Sequence, residues 1–285
     1  MNHSVRTFLY LFLGLEILFT LLPAKTFAEA ITLGGERPAE LYIPGSKFTL
    51  YPRPLILFLH GYGSSGPHMN NWLHAADDAN RLGYIALIPD GSPDAVGLNF
   101  WNATPDCCNF HDSERDDVSY LEDLIMEAKR KVWVGKVYII GHSNGGFMAS
   151  RLTCDKPNLI DGVVSLSGGF FRDPKLCKNP RRIPLVQIHG TEDTTIPYWS
   201  NDNFPGAFES VWGWSEIYGC SYTTLQKGAK DLVTFSLNGS VDGNETDVLN
   251  FGGCKFGVKL SLWTVNGGGH NILFPHIVEE AMSFF

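Results

Sequence analysis

The chain has 285 residues, 44% hydrophobic and 18% charged, and a formal charge of -8 from 22 basic and 30 acidic side chains. That composition excludes a disordered, fibrous or multi-span membrane protein and is enough for one large domain with its own core. The negative balance has the wrong sign for gripping a phosphate backbone, so no nucleic-acid partner is expected.

The first element in chain order reads as an address. After Arg6, residues 8–22 are almost wholly apolar, then Pro23 breaks the run and Thr26-Phe27-Ala28 gives a small-x-small cleavage pattern. Residues 1–28 are therefore expected to be a secretory signal peptide and residues 29–285 a single domain. The apolar run falls short of the ~20 residues a membrane-spanning helix needs, so no stable membrane anchor is expected.

An apolar run at 54–59, bounded by Pro and Gly, predicts a strand covered on both faces, and 84–88 predicts the next. Between them 71–82 has helical spacing, with Trp72, Ala75, Ala76 and Ala79 on one face. Further strands are predicted at 136–140, 160–166 and 184–188, with helices at 116–130 and 144–154. The Gly- and Asn-rich stretch 228–257 reads as a surface excursion, with possible short strands at 232–237 and 246–251 around Asn238-Gly239. A last strand is predicted at 259–265 and a closing helix at 277–285. Alternating strands and helices predict an α/β fold, a mostly parallel central sheet with helices on both faces.

Chemistry concentrates at four strand ends. Gly141-His142-Ser143-Asn144-Gly145 is a G-x-S-x-G sequence directly after a strand and before a helix, the context of a nucleophile elbow. Ser143 is the candidate nucleophile. A serine hydroxyl needs a base, and the base an orienting acid, in the order nucleophile, acid, histidine. After 184–188 comes His189-Gly190-Thr191-Glu192-Asp193, a turn-rich loop offering adjacent carboxylates at Glu192 and Asp193. After the last strand, three glycines lead to His270, the candidate base. His142 and His189 are expected to support the site, His142 also as a substrate contact; His68, His74, His111 and His276 read as solvated or packing residues. The run His60-Gly61-Tyr62-Gly63 follows the first central strand, and the backbone amides of Tyr62 and Asn144 are assigned to an oxyanion hole. Phe100, Trp101, Tyr198 and Trp199 are candidates to border the cleft, Trp101 foremost as a substrate-binding ring. The run lacks the Lys-Ser/Thr ending of a phosphate loop, and neither a metal nor an organic cofactor is expected.

In an exported chain the even set Cys107, Cys108, Cys154, Cys177, Cys220 and Cys254 reads as disulfides rather than metal ligands. Cys107 and Cys108 are expected to reach separate partners, since an unstrained bridge wants Cα atoms about 5.5 Å apart and neighbours stand near ~3.8 Å.

Together, His60-Gly61, Trp101 with Cys107-Cys108, Gly141-His142-Ser143-Asn144-Gly145-Gly146, the acid loop and Gly268-Gly269-His270 resemble the exported α/β-hydrolase family that contains polyhydroxybutyrate depolymerase-like proteins and feruloyl esterases. The resemblance implies an α/β-hydrolase fold, a triad of Ser143, Asp193 and His270, Tyr62 at the first oxyanion position, and a Cys220–Cys254 pair flanking the polar excursion. Cys154 is expected to bond one of Cys107 and Cys108, and Cys177 the other. The implied activity is hydrolysis of feruloyl-type or short hydroxyacid esters through an acyl-enzyme. The chain lacks the appended adsorption domain of some polymer-degrading members, so soluble small or oligomeric esters are expected rather than polyester. A polyhydroxybutyrate or polyester depolymerase is the alternative on the same fold, and a serine peptidase and a non-catalytic binding protein are the rival classes.

Overall fold

The computed structural model describes residues 29–45, 49–178, 180–230, 245–272 and 276–285; the expected signal peptide lies outside them. The strands are β1 (Glu29–Leu33), β2 (Ala39–Ile43), β3 (Arg53–Leu59), β4 (Ile85–Pro89), β5 (Ser92–Pro93), β6 (Asn99–Phe100), β7 (Val134–His142), β8 (Gly162–Leu166), β9 (Leu185–Gly190), β10 (Tyr222–Lys230), β11 (Thr246–Gly252) and β12 (Leu260–Val265). The α-helices are α1 (Gly66–Leu73), α2 (Ala75–Arg81), α3 (Asp117–Lys131), α4 (Asn144–Asp155), α5 (Ala207–Tyr218) and α6 (Ile277–Met282). Among the described residues, ten strands form one sheet in the order β1-β2-β4-β3-β7-β8-β9-β12-β11-β10, and β5 and β6 form a small ribbon. The centre, from β4 to β12, is parallel, and antiparallel pairings attach β1 and β2 at one edge and β10 and β11 at the other.

The alternation of side chains along a strand explains the continuous apolar run of β3. Leu55, Leu57 and Leu59 point into one core with α3, α4 and α5, while Ile56 and Phe58 point into the other with α1, α2 and α6. All five are fully buried, each worth about 1.5–3 kcal/mol of transfer free energy. α3 starts where its cap predicts: the Asp116 carboxylate accepts the Ser119 amide at 2.9 Å. No helix among the described residues is long and apolar enough to cross a membrane.

The structure corrects three expectations. The helix expected over 71–82 is two helices, α1 and α2, because His74 between them takes a left-handed φ of 50°. The stretch 228–257 is not a surface excursion throughout. Its described part forms the strand expected at 246–251, as β11, which joins the sheet in register with β12, Thr246 opposite Val265 and Phe251 opposite Leu260, with β10 outside it. The expected strand at 232–237 and Asn238-Gly239 lie outside the described residues. The third correction concerns cysteine pairing. Cys107 bonds Cys108, across a cis peptide that brings their Cα atoms to 3.1 Å, so neither reaches a distant partner. Cys154 bonds Cys177, and Cys220 bonds Cys254.

Cys220–Cys254 spans 34 residues and, through the unfolded chain, contributes about 3–4 kcal/mol. Changing both cysteines to serine is expected to lower the unfolding free energy in denaturant titration by that amount while leaving ester turnover intact. A loss below about 1 kcal/mol would contradict the chain-entropy account.

Candidate active site

In a parallel sheet the carboxyl ends of the strands share one edge, and loops from β3, β7, β9 and β12 converge there. Between β7 and α4 the backbone turns at Ser143 with φ 54° and ψ -120°, a left-handed setting that a non-glycine residue adopts only where its surroundings enforce it. The turn needs Gly145, since a Cβ there would stand 2.1 Å from the Leu59 carbonyl oxygen. The Asn144 amide, first in α4, has no intrahelical acceptor and lies at the positive end of the helix. The Asn144 side chain is locked on Trp101, donating to its carbonyl at 2.9 Å and accepting its amide at 2.7 Å. The loop after β3 runs against this turn: a Cβ on Gly61 would lie 3.2 Å from that of Ser143 and 3.1 Å from His142 Nδ1.

On the far side of the cleft, His270 Nδ1 donates to Asp193 Oδ2 at 2.8 Å, which leaves His270 Nε2 as the basic nitrogen. Asp193 Oδ1 accepts the amides of Thr195 and Ile196, both at 2.9 Å. His189 Nε2 donates to the Ile196 carbonyl at 2.8 Å and faces Asp193 Oδ2 at 3.1 Å, and Gln187 Nε2 donates to His189 Nδ1 at 3.0 Å. Burial pushes the Asp193 carboxyl upward, but hydrogen bonds from His189 and His270 reverse this and hold it well below the usual carboxylate range. Glu192, the other carboxylate, is exposed; its amide donates to the Gly268 carbonyl at 2.9 Å. The acid and histidine loops are tied again by Thr191 N to Val265 O at 3.0 Å and Gly267 N to Thr191 Oγ1 at 2.8 Å.

His142 lies between the two sides. Its Nε2 donates to the His270 carbonyl at 3.2 Å, and its ring packs on His270 and on the edge of Trp72, with centroids 4.9 and 4.7 Å apart. Burial, then the neighbouring His270, pushes its pKa down to about 3, so it stays neutral at physiological pH. A cavity of about 380 Å³ opens over these groups, lined by Ser143, His270, His142, Tyr62, Met69 and Trp72 among others. A hydroxyl on a strained turn and an imidazole on one cavity, with a buried carboxylate behind the imidazole, are the parts that nucleophilic acyl transfer needs. Among the described residues, no cluster of three or more His, Cys, Asp or Glu could hold a metal ion.

Trp101 does not line this cavity. It is fully buried, and its Nε1 donates to the His60 carbonyl at 2.9 Å; it braces the loops beneath the site rather than meeting substrate. Phe100 is buried as well, the Tyr198 hydroxyl pairs with Thr264 Oγ1 at 2.7 Å, and Trp199 is exposed away from the cavity. The rings that do line it, Trp72 and Tyr62, include one the helical pattern had assigned to packing. The break at His74, which ends α1 just after Trp72, carries no sequence signal stronger than a histidine. His68, read as solvated or packing, is exposed and lies on the cavity wall, with Thr195 and Asn271.

A phospholipase/carboxylesterase family model matches residues 49–230, more than half of the chain. Feruloyl esterase B of Piromyces equi is 26% identical over 231 residues, 76% of this chain and 39% of that protein, so the chain spans well under half of that relative's length. Feruloyl esterase D of Neurospora crassa is 24% identical over 246 residues, covering 84% of this chain and 75% of its own. Among solved structures, an acetyl xylan esterase from Aspergillus awamori superposes with a TM-score of 0.63 at 16% identity, covering 90% of this chain and 98% of that one, a likeness of fold.

Proposed function

The chain belongs to the phospholipase/carboxylesterase family of α/β-hydrolases, and from that premise we propose that it is a secreted serine carboxylic-ester hydrolase acting through a Ser143–Asp193–His270 triad. The observation that carries this reading is the 2.8 Å hydrogen bond from His270 to buried Asp193 on the cavity that holds Ser143. Ser143 Oγ attacks the ester carbonyl while His270 Nε2 takes its proton, and the amides of Tyr62 and Asn144 receive the oxyanion. His270 returns the proton to the leaving alcohol. It then deprotonates water, which attacks the acyl-enzyme and releases the acid. Asp193 holds the imidazole in the tautomer this requires and stays ionised throughout.

The favoured substrates are feruloyl-type or short hydroxyacid esters. Support comes from the two relatives named feruloyl esterase and from the cavity, which at about 380 Å³ sits near the small end of the ~300–1,000 Å³ range of ligand pockets. Its wall of Trp72, Met69 and Tyr62 suits one aromatic or short acyl group. Residues 29–285 then act as one catalytic unit behind a signal peptide at 1–28. All six cysteines are paired, which fits an oxidising compartment.

A panel of p-nitrophenyl acetate, methyl ferulate, hydroxybutyrate oligomers and peptide amides tests the class; turnover of amides alone would replace the esterase reading with the peptidase one. Trp72→Ala is expected to lower kcat/KM on methyl ferulate about tenfold relative to p-nitrophenyl acetate, the scale of one ring contact. An unchanged ratio would remove Trp72 from the acyl wall.

A further inference from the structure

Tyr62 stands between Gly61 and Gly63, and Gly63 takes a φ of 70°. The peptide that carries the Tyr62 amide is held at its carbonyl, Gly61 O, by the Ser64 amide at 3.1 Å and by His60 Nδ1 at 2.8 Å. Two further contacts, one from the β5–β6 turn and one from β6 itself, hold the Tyr62 side chain and the Gly63 amide. The Tyr62 hydroxyl donates to Asp94 Oδ2, and the Gly63 amide donates to the Asn99 carbonyl at 2.8 Å. Asp94 is itself fixed. Its Oδ1 accepts the Val96 and Leu98 amides, both at 2.9 Å, its Oδ2 faces His111 Nδ1 at 3.1 Å, and its side chain is 2% exposed. Phe110 packs edge-on against the Tyr62 ring with centroids 5.1 Å apart. Asp94 lies outside the cavity lining, whereas Tyr62 is part of it.

We propose that Asp94 is a positioning residue that acts through the Tyr62 hydroxyl to hold the Tyr62 amide where an oxyanion forms. The inference rests on the reading of that amide as an oxyanion donor. A donor is useful only when aimed at the place where charge develops, and a full donor is worth about a hundred- to a thousandfold in kcat. The bonds at Gly61 O fix one end of that peptide, and the Tyr62 side chain steadies the other. A charge-assisted bond suits the purpose, being shorter and stronger than a neutral one. Burial disfavours the Asp94 carboxylate, yet the bond from Tyr62 with the Leu98 and Val96 amides brings it down to about 2; that bond to Asp94, helped by burial, takes the Tyr62 phenol up to about 12.

The test is a double-mutant cycle with Tyr62→Phe, Asp94→Ala and the pair, read as kcat and KM on p-nitrophenyl acetate and as affinity for phenylboronic acid, a mimic of the tetrahedral intermediate. Each single change is expected to lower kcat about tenfold, with KM within about twofold, and to weaken the boronate by a similar factor. The pair is expected to be no worse than Asp94→Ala. Full kcat in Tyr62→Phe, or losses that multiply in the pair, would overturn the proposal. Tyr62→Phe removes one oxygen and keeps both the ring and the amide, so it reads the proposal even where Asp94→Ala unfolds its own turn. Ser143→Ala in the same series separates the two levels. Activity surviving there defeats the triad reading, whereas an inactive Ser143→Ala beside a fully active Tyr62→Phe defeats this inference alone.

Discussion

Ser143→Ala is expected to fold like the parent and to lose about ten-thousand- to a millionfold in kcat on p-nitrophenyl acetate, the range seen when a triad nucleophile is removed. Alanine keeps the Cβ, so the strained turn at φ 54° is neither relieved nor worsened, and the close contacts at Gly145 and Gly61 are untouched. Thermal unfolding by circular dichroism should therefore be nearly unchanged. Loss of the hydroxyl leaves only binding and the oxyanion amides to act on bound water. In the parent, a fluorophosphonate should add once, at Ser143, by peptide mass mapping. Activity within tenfold of the parent, or labelling elsewhere, would remove Ser143 from the chemistry.

Asp193→Asn should cost about ten-thousandfold in kcat, with Glu192→Gln within about twofold of the parent. Three donors converge on the Asp193 carboxylate, two amides on Oδ1 and His270 on Oδ2, where His189 Nε2 also stands at 3.1 Å. An asparagine turns one acceptor into a donor, so it either opposes these hydrogens or accepts at its oxygen while its nitrogen forces His270 into the tautomer with Nε2 protonated. Glu192 is exposed, and its amide bonds the Gly268 carbonyl. The larger loss in Glu192→Gln would exchange the two roles. Stability should follow pH with a definite sign. The folded pKa of Asp193 lies below its unfolded value, about 3.9, so the ionised group's contribution is fully present above that value and is lost as pH falls toward the folded one. The gap in melting temperature between parent and Asp193→Asn should be widest near neutrality and close on acidification.

The strands legible in the sequence are those buried on both faces, such as β3 and β9, because continuous apolar runs leave one reading once Pro and Gly bound them. β11 was legible as the short strand at 246–251, but its place in the sheet was not, because an edge-proximal antiparallel strand buries only some of its residues, Thr246, Val248 and Phe251, and its polar remainder imitates a loop. β2 carried a plain alternation of buried Ala39, Leu41 and Ile43 that went unread. The proposed triad residues come to one edge for a different reason: Ser143 directly follows β7, Asp193 and His270 follow β9 and β12 by a short loop, and the parallel order of those strands brings their ends together. Trp101 misled because a tryptophan near a motif looks the same in sequence whether its indole faces substrate or, as here, bonds the His60 carbonyl. The Cys107–Cys108 bridge misled because the argument against it assumed a trans peptide.

The bonds joining the acid loop to the histidine loop make those two a single body, and Gly61 pressed on Ser143 makes another. The site is thus two preassembled halves meeting along one seam, bridged by the bond from His142 to the His270 carbonyl. Met69 and Trp72, which line the cavity, belong to α1, and that helix touches the two halves through the Trp72 ring on His142. Under the proposed mechanism, a change at Met69 is expected to alter acyl preference with the proton relay left in place, whereas a change at Trp72 also loosens the seam.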